Sequence, residues 1–192
     1  MAKATQKLTT QSKSLGIYVH IPFCRSKCQY CDFYSLPRSE KTPELMDRYV
    51  QALEAHIREG GARAPRYVVD SVYFGGGTPS YFGPDRLKDV FSAISKRFNV
   101  SKSAEVTLEA NPDSITDKGC QKLLAAGFNR ISIGVQNNND QILKVLGRPH
   151  TFRQAQRSVD IARNAGFGNI SLDLMYGLPA QSPQQWADAL GS

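Results

Sequence analysis

Five short apolar runs rich in β-branched and aromatic residues recur along the chain, at Ile17 to Ile21, Val68 to Phe74, Glu105 to Ala110, Arg130 to Val135 and Asn169 to Met175. Each is followed by a longer amphipathic stretch, so the pattern is a βα repeat. Glu44 to Glu59 repeats its apolar residues at helical spacing in Leu45, Tyr49, Leu53 and Ile57, and Pro84 to Phe98 does so in Leu87, Val90, Phe91 and Ile94. A third helix is expected from Ser114 or Thr116 to a stop at Gly127, a fourth from Thr151 to Ala165 before Gly166, and Pro183 to Leu190 opens a fifth. Strands alternating with helices imply an α/β fold with a parallel sheet and right-handed crossovers. Five such units make most of a β/α barrel. Closure needs at least one more, and the chain ends at Gly191-Ser192. The expectation is therefore a partial β/α barrel, truncated after about five βα units, with an open parallel edge after its last strand.

With 192 residues and 41% apolar content, the chain has material for one domain with a real core, expected over 15–192. Residues 1–14 carry charge and hydroxyls without an apolar stretch, and read as a disordered basic tail, with a transit peptide as the alternative. No run of about 18 apolar residues occurs, so a cytoplasmic protein without membrane insertion is expected. The net charge of +7 is scattered, with no basic run or interleaved aromatics, and nucleic acid is not an expected partner.

The chemistry concentrates in Cys24-x-x-x-Cys28-x-x-Cys31, in the loop directly after the first strand. In a reducing compartment, clustered cysteines bind metal more often than they form disulfides, and thiolates suit iron-sulfur clusters or zinc. Three cysteines leave one iron of a four-iron cluster open. Zinc closed by His20 as a fourth ligand is the competing reading. The fourth cysteine, Cys120, reads as a small buried hydrophobe inside a helix.

Other polar residues fall at the ends of the later strands. Gly75-Gly76-Gly77-Thr78-Pro79 follows the second strand, where glycines either form a turn or let backbone approach a ligand. Glu109 ends the third strand, Gln136 follows the fourth and Asp173 lies near the end of the fifth. All point to the C-terminal face of the sheet, where barrels collect cofactor and catalytic residues. Taken singly, Glu109 and Gln136 also read as caps or solvated groups, and Arg148 as a partner for a helix C-terminus. Asp173, between Leu172 and Leu174 in what reads as a central strand, would be costly to bury without a partner such as a ribose hydroxyl. His150 reads as a cap for the following helix.

The segment YVHIPFCRSKCQYCDFYS resembles the cluster loop of radical-SAM proteins in the oxygen-independent coproporphyrinogen III dehydrogenase family, and the resemblance runs from about Leu15 to the end of the chain. It implies a 4Fe-4S cluster on Cys24, Cys28 and Cys31, with S-adenosylmethionine chelated at the open iron. By the same resemblance Gly76, Gly77 and Thr78 would contact the methionine part of that cofactor. Glu109 in TLEANPDS, Gln136 in SIGVQ, Arg148 in LGRPH and Asp173 in LDLMYGLP match its further contacts, and Tyr18 and Tyr30 match positions beside it. The family's dehydrogenases carry a fourth cysteine two places after the third, where its heme-chaperone branch carries phenylalanine. Here the residue is Phe33.

The resemblance therefore implies a chaperone that binds heme and transfers it to an acceptor protein, with an electron donor reducing the cluster. The alternatives are a dehydrogenase that oxidatively decarboxylates coproporphyrinogen III, and an inactive fragment, since the family's C-terminal domain is absent. One departure stands out. Family members follow the glutamine with a serine and an aromatic residue, but this chain has Asn137-Asn138-Asn139, which is expected to loosen packing under the cofactor and the seat of Gln136.

Overall fold

A computed structural model describes residues 13–36, 42–179 and 181–192. Its strands are β1 (Lys13–Ile21), β2 (Tyr67–Gly76), β3 (Asn99–Ala110), β4 (Arg130–Gln136) and β5 (Asn169–Leu174). Helices α1 (Pro43–Arg63), α2 (Pro79–Phe82), α3 (Pro84–Arg97), α4 (Asp117–Ala126), α5 (Asp140–Val145), α6 (Phe152–Ala165) and α7 (Pro183–Leu190) fall between and after them. The five strands form one sheet in the order β1-β2-β3-β4-β5, and every neighbouring pair is parallel. A doubly wound sheet reverses its strand order at the middle, whereas an arc of a β/α barrel does not. The expected partial barrel is what the chain forms, with β5 as an edge strand.

Alternation along each strand sorts the residues into two faces. Ile17, Val19 and Ile21, then Val72 and Phe74, Val106 and Leu108, and Ile131, Ile133 and Val135 turn to one core. On that side α1 packs on α3, α3 on α4 and α4 on α6, so the helices cover the apolar face in sequence order. Phe74, Phe91 and Phe128 fill the space between sheet and helices, with Phe128 5.0 Å from Phe74 and 5.6 Å from Phe91. The alternate positions, including Tyr73, Thr107, Glu109, Ser132 and Asp173, carry polar groups on the opposite, inner face.

The helix ends follow local rules. Thr116 caps α4 by accepting from Gly119 N, and Gly127 closes it in the left-handed region at φ 106°. Thr151 and Gln154 form a capping box on α6. Thr151, and not His150 as expected, is therefore the cap, because its side chain reaches the free amide of Gln154. His150 instead lies buried, with Nε2 donating to the carbonyl of Val135 at 3.2 Å.

One boundary and two short helices differ from expectation. β1 begins at Lys13, paired with Tyr67, and so includes Lys13 and Ser14 of the expected tail. The rest of that tail lies outside the described residues. Helices α2 and α5 were not foreseen, being four and six residues long and too short for a helical period to show. No helix among the described residues is long and apolar enough to cross a membrane.

Candidate functional site

The loop from Pro22 to Leu36 that carries the three cysteines is held to the rest of the sheet by backbone. Gly77 N donates to Ile21 O at 2.9 Å and Thr78 N to Phe23 O at 2.8 Å, so the glycine-rich loop after β2 clasps the start of the cysteine loop. Leu36 N donates to Pro22 O at 2.9 Å and closes the loop on itself, while Gln29 N donates to Leu146 O at 3.3 Å. Phe23 is the anchor beneath. It is fully buried, stacks on Phe82 of α2 at 5.2 Å and meets Tyr49 edge-on at 5.5 Å. Arg25 adds an ion pair to Asp113 at 3.1 Å.

Above this anchor a cavity of about 160 Å³ opens at the C-terminal ends of the strands. Cys24, Cys28 and Cys31 line it from one side with Tyr30 and Phe33. Gly76, Gly77, Thr78, Glu109, Gln136, Arg148 and Asp173 line it from the other. Eleven of the twelve residues singled out in the sequence, all but Tyr18, thus meet around one space. Tyr18 does not line it. Its ring stacks on Tyr73 with centroids 6.2 Å apart, and Tyr73 donates to Glu109 Oε1 at 2.7 Å, so Tyr18 stands one layer behind the wall.

Glu109 is fixed by two donors, Tyr73 and the amide of Gly76, which meets Oε2 at 3.2 Å. Burial still raises its carboxyl above the usual range, offset in part by those donors. Tyr30 is pushed up to about 12, first by burial, so it remains a hydroxyl donor. Gln136 sits after a shift in the β4–β5 register, at φ 70°, a conformation that costs a non-glycine residue about 1–3 kcal/mol. The asparagine run after it makes local hydrogen bonds of its own, though the buried Asn137 Nδ2 has no partner among the described residues. Asn137 is buried and accepts from Asn139 N at 3.0 Å, and Asn139 caps α5 through Gln141 N and Ile142 N.

Asp173 departs from the reading that made it costly to bury. β5 is an edge strand in this chain, Asp173 is exposed, and its partner is the Ser132 hydroxyl, which donates to Oδ1 at 2.9 Å. Ser132 and Asn111 both line the cavity and escaped the sequence reading, because a serine in SIGVQ and an asparagine in EANPDS have no distinctive spacing.

The donor set bears on what the cavity can hold. Three soft thiols converge from one loop, and the buried Nε of Arg148 has no hydrogen-bond partner among the described residues, leaving a donor available for an anionic group. Among the described residues no three or more His, Cys, Asp or Glu side chains gather as ligands of one metal ion. Cysteines that hold a four-iron cluster bind different irons, so a single-ion arrangement is not what that group requires. His20, the fourth ligand of the zinc alternative, is engaged elsewhere. Its Nε2 donates to the Tyr34 carbonyl and its Nδ1 accepts from the Tyr18 hydroxyl, both at 3.1 Å.

Beneath the cavity, His150 makes a pH prediction. Burial is the first cause that lowers its pKa below the ordinary 6.5, Arg148 is the second, and the Val135 carbonyl, Asp113 and Asp140 oppose them. A folded value below the unfolded one means that the unfolded chain binds the extra proton first. The stability from neutral His150 is thus complete above about pH 6.5 and is lost as pH falls through the folded value. Urea midpoints taken between pH 7.5 and 5 should fall more steeply for the wild type than for His150→Gln, whose amide can still donate to Val135. Equal slopes would refute this.

Parallel strands in sequence order, with a cysteine loop after the first and ligand-type side chains at the ends of the others, define a β/α barrel arc with a candidate cofactor site at its C-terminal face. Residues 18–191 match the Radical SAM superfamily, and the chain belongs to that family. It is 36% identical over 178 residues to the heme chaperone HemW of Haemophilus influenzae, covering 92% of this chain and 46% of that protein. It is 38% identical over 171 residues to HemW of Escherichia coli, covering 89% and 45%. To the bovine mitochondrial radical S-adenosyl methionine domain-containing protein 1 it is 39% identical over 176 residues, covering 91% and 39%. Among solved structures, the coproporphyrinogen III oxidase HemN of Escherichia coli, a radical SAM enzyme, superposes with a TM-score of 0.84 at 31% identity, over 94% of this chain and 41% of that one. The chain spans less than half the length of these relatives.

Proposed function

We propose that this chain is the cluster-binding and S-adenosylmethionine-binding part of a heme chaperone, in which Cys24, Cys28 and Cys31 hold a 4Fe-4S cluster with one open iron. The observation that carries the reading is the convergence of those three thiols with the ends of four later strands on one cavity. When bound, the cluster supplies an electron to the sulfonium of S-adenosylmethionine. In this reading the unpartnered Arg148 Nε would meet the cofactor's carboxylate and Asp173 would accept from its ribose hydroxyls. Glu109, Gln136, Gly76, Gly77 and Thr78 supply the remaining wall, with Tyr30 at the cluster side and Tyr18 behind Glu109. The chaperone assignment is supported by the relatives that bear that name and by Phe33, which stands at the cavity where the dehydrogenases of the resemblance have cysteine. Heme, an acceptor protein and an electron donor are the partners this implies, and the cytoplasm the setting. The likeness to coproporphyrinogen III oxidase favours one second reading, oxidative decarboxylation of a porphyrinogen.

Anaerobic loading with iron and sulfide, followed by reduction, should give a four-iron paramagnetic resonance signal that changes when S-adenosylmethionine is added. Heme added to the loaded protein should bind, and coproporphyrinogen III should stay unchanged. Stoichiometric zinc without a cluster would overturn the cofactor assignment, and a vinyl product would replace the chaperone with the dehydrogenase.

A further inference from the structure

We propose that Arg148, Asn111 and Thr78 form a single directed hydrogen-bond bridge whose two ends donate to cysteine sulfurs, and that this bridge raises the reduction potential of the cluster those cysteines hold. The inference rests on the cluster assignment above and concerns residues beyond it, Asn111 in particular.

The direction of every proton in the bridge follows from chemistry. A guanidinium only donates. Arg148 Nη2 lies 2.7 Å from Asn111 Oδ1, which fixes the oxygen of that amide toward the arginine and turns its nitrogen the other way. Asn111 Nδ2 then donates to Thr78 Oγ1 at 3.2 Å. Thr78, having accepted there, has its own proton to give, and its Oγ1 lies 3.3 Å from Cys24 Sγ. At the other end Arg148 Nη1 meets Cys28 Sγ at 3.6 Å, a reach suited to the larger radius of sulfur. The three members come from separate parts of the chain, Thr78 after β2, Asn111 after β3 and Arg148 after α5, so the bridge exists only when those strand ends are assembled. A second anchor, Arg148 Nη2 to Gly134 O at 2.7 Å, holds the guanidinium in place.

Donors to a ligating sulfur withdraw electron density from it, and a nearby positive charge stabilises added negative charge, so both favour the reduced cluster. Thr78 is buried, where such an interaction is weakly screened. Asn111 and Thr78 act through the sulfurs and are positioning residues.

The test is potentiometric, on the cluster-loaded chain without S-adenosylmethionine, comparing the wild type with Thr78→Val, Thr78→Ser and Asn111→Leu by the paramagnetic signal. Thr78→Val keeps the shape and removes the donor. It should lower the ratio of reduced to oxidised cluster at a fixed potential about tenfold, or about 59 mV for one electron. Asn111→Leu should shift in the same direction, and Thr78→Ser should restore the wild-type value. Unmoved potentials in Thr78→Val and Asn111→Leu, or a serine variant shifted as far as the valine one, would overturn the proposal. Loss of the cluster from the valine and leucine variants while the serine variant keeps it would also overturn it, in favour of a purely structural bridge. A wild type that takes up no cluster is the failure of the cofactor assignment itself, and is thereby told apart from these.

Discussion

Replacing Cys24 with alanine is expected to abolish the four-iron cluster rather than weaken it. Cys24 is the most enclosed of the three loop cysteines, sitting at the foot of the cavity against the Gly77 backbone. An alanine offers iron no ligand, and a cluster left with two protein thiolates has two open irons exposed to solvent. Iron and sulfide per chain after anaerobic loading, with the visible absorption of the oxidised cluster, measure the outcome. Cys28→Ala and Cys31→Ala should behave alike. Cys120→Ala is the matched control, because Cys120 is buried in α4, away from the cavity lining, with its thiol pushed up to about 11 mainly by burial. It should keep a full cluster and lose about 1 kcal/mol of stability. A full cluster in any of the three loop variants would sink the ligand assignment.

Gly77→Ala should damage the site without touching a ligand. A Cβ built at Gly77 would stand 2.9 Å from Cys24 Sγ, 2.9 Å from Ile21 O and 3.0 Å from Phe23 O. Two of those neighbours are backbone carbonyls already accepting from Gly77 N and Thr78 N, so relief requires opening both hydrogen bonds. Overpacking of this kind costs about 1–3 kcal/mol, and each hydrogen bond adds about 1 kcal/mol. At about 2–4 °C per kcal/mol for a domain of this size, the resulting ~3–5 kcal/mol lowers Tm by roughly 6–20 °C. Cluster uptake should fall with it, since the cysteine loop loses the clasp that sets its depth. Gly168→Ala provides the comparison, because nothing lies within 4 Å of its added Cβ. A Gly77→Ala protein with the Tm and iron content of the wild type would show that the clasp is not what seats the loop.

The five βα units were legible because strand and helix periods are local properties of the chain. Where extension depended on a partner, local reading fell short. Asn99 to Ser103 is largely polar, with little of a strand's apolar pattern, yet it begins β3 because Val68 and Val69 pair with Asn99 and Val100. Lys13 and Ser14 extend β1 for the same reason, paired with Tyr67 and Val68. The cysteine loop and the residues of the cavity wall were visible by type and by place at strand ends. Their supports were not. Asn111 matters only because β2, β3 and α5 end beside one another, and Ser132 only because β5 brings Asp173 across from it.

The sequence by itself determined the parallel α/β class, the cysteine loop and the face on which ligand-type residues collect, since periodicity, residue chemistry and position at strand ends are all written along the chain. Tertiary structure alone decided which sulfur each donor meets, that Tyr18 stands behind Glu109, that Asp173 is exposed on an edge strand and that His150 is a buried tether. Those outcomes depend on distances between residues far apart in the chain, and packing sets such distances only when the strands are side by side.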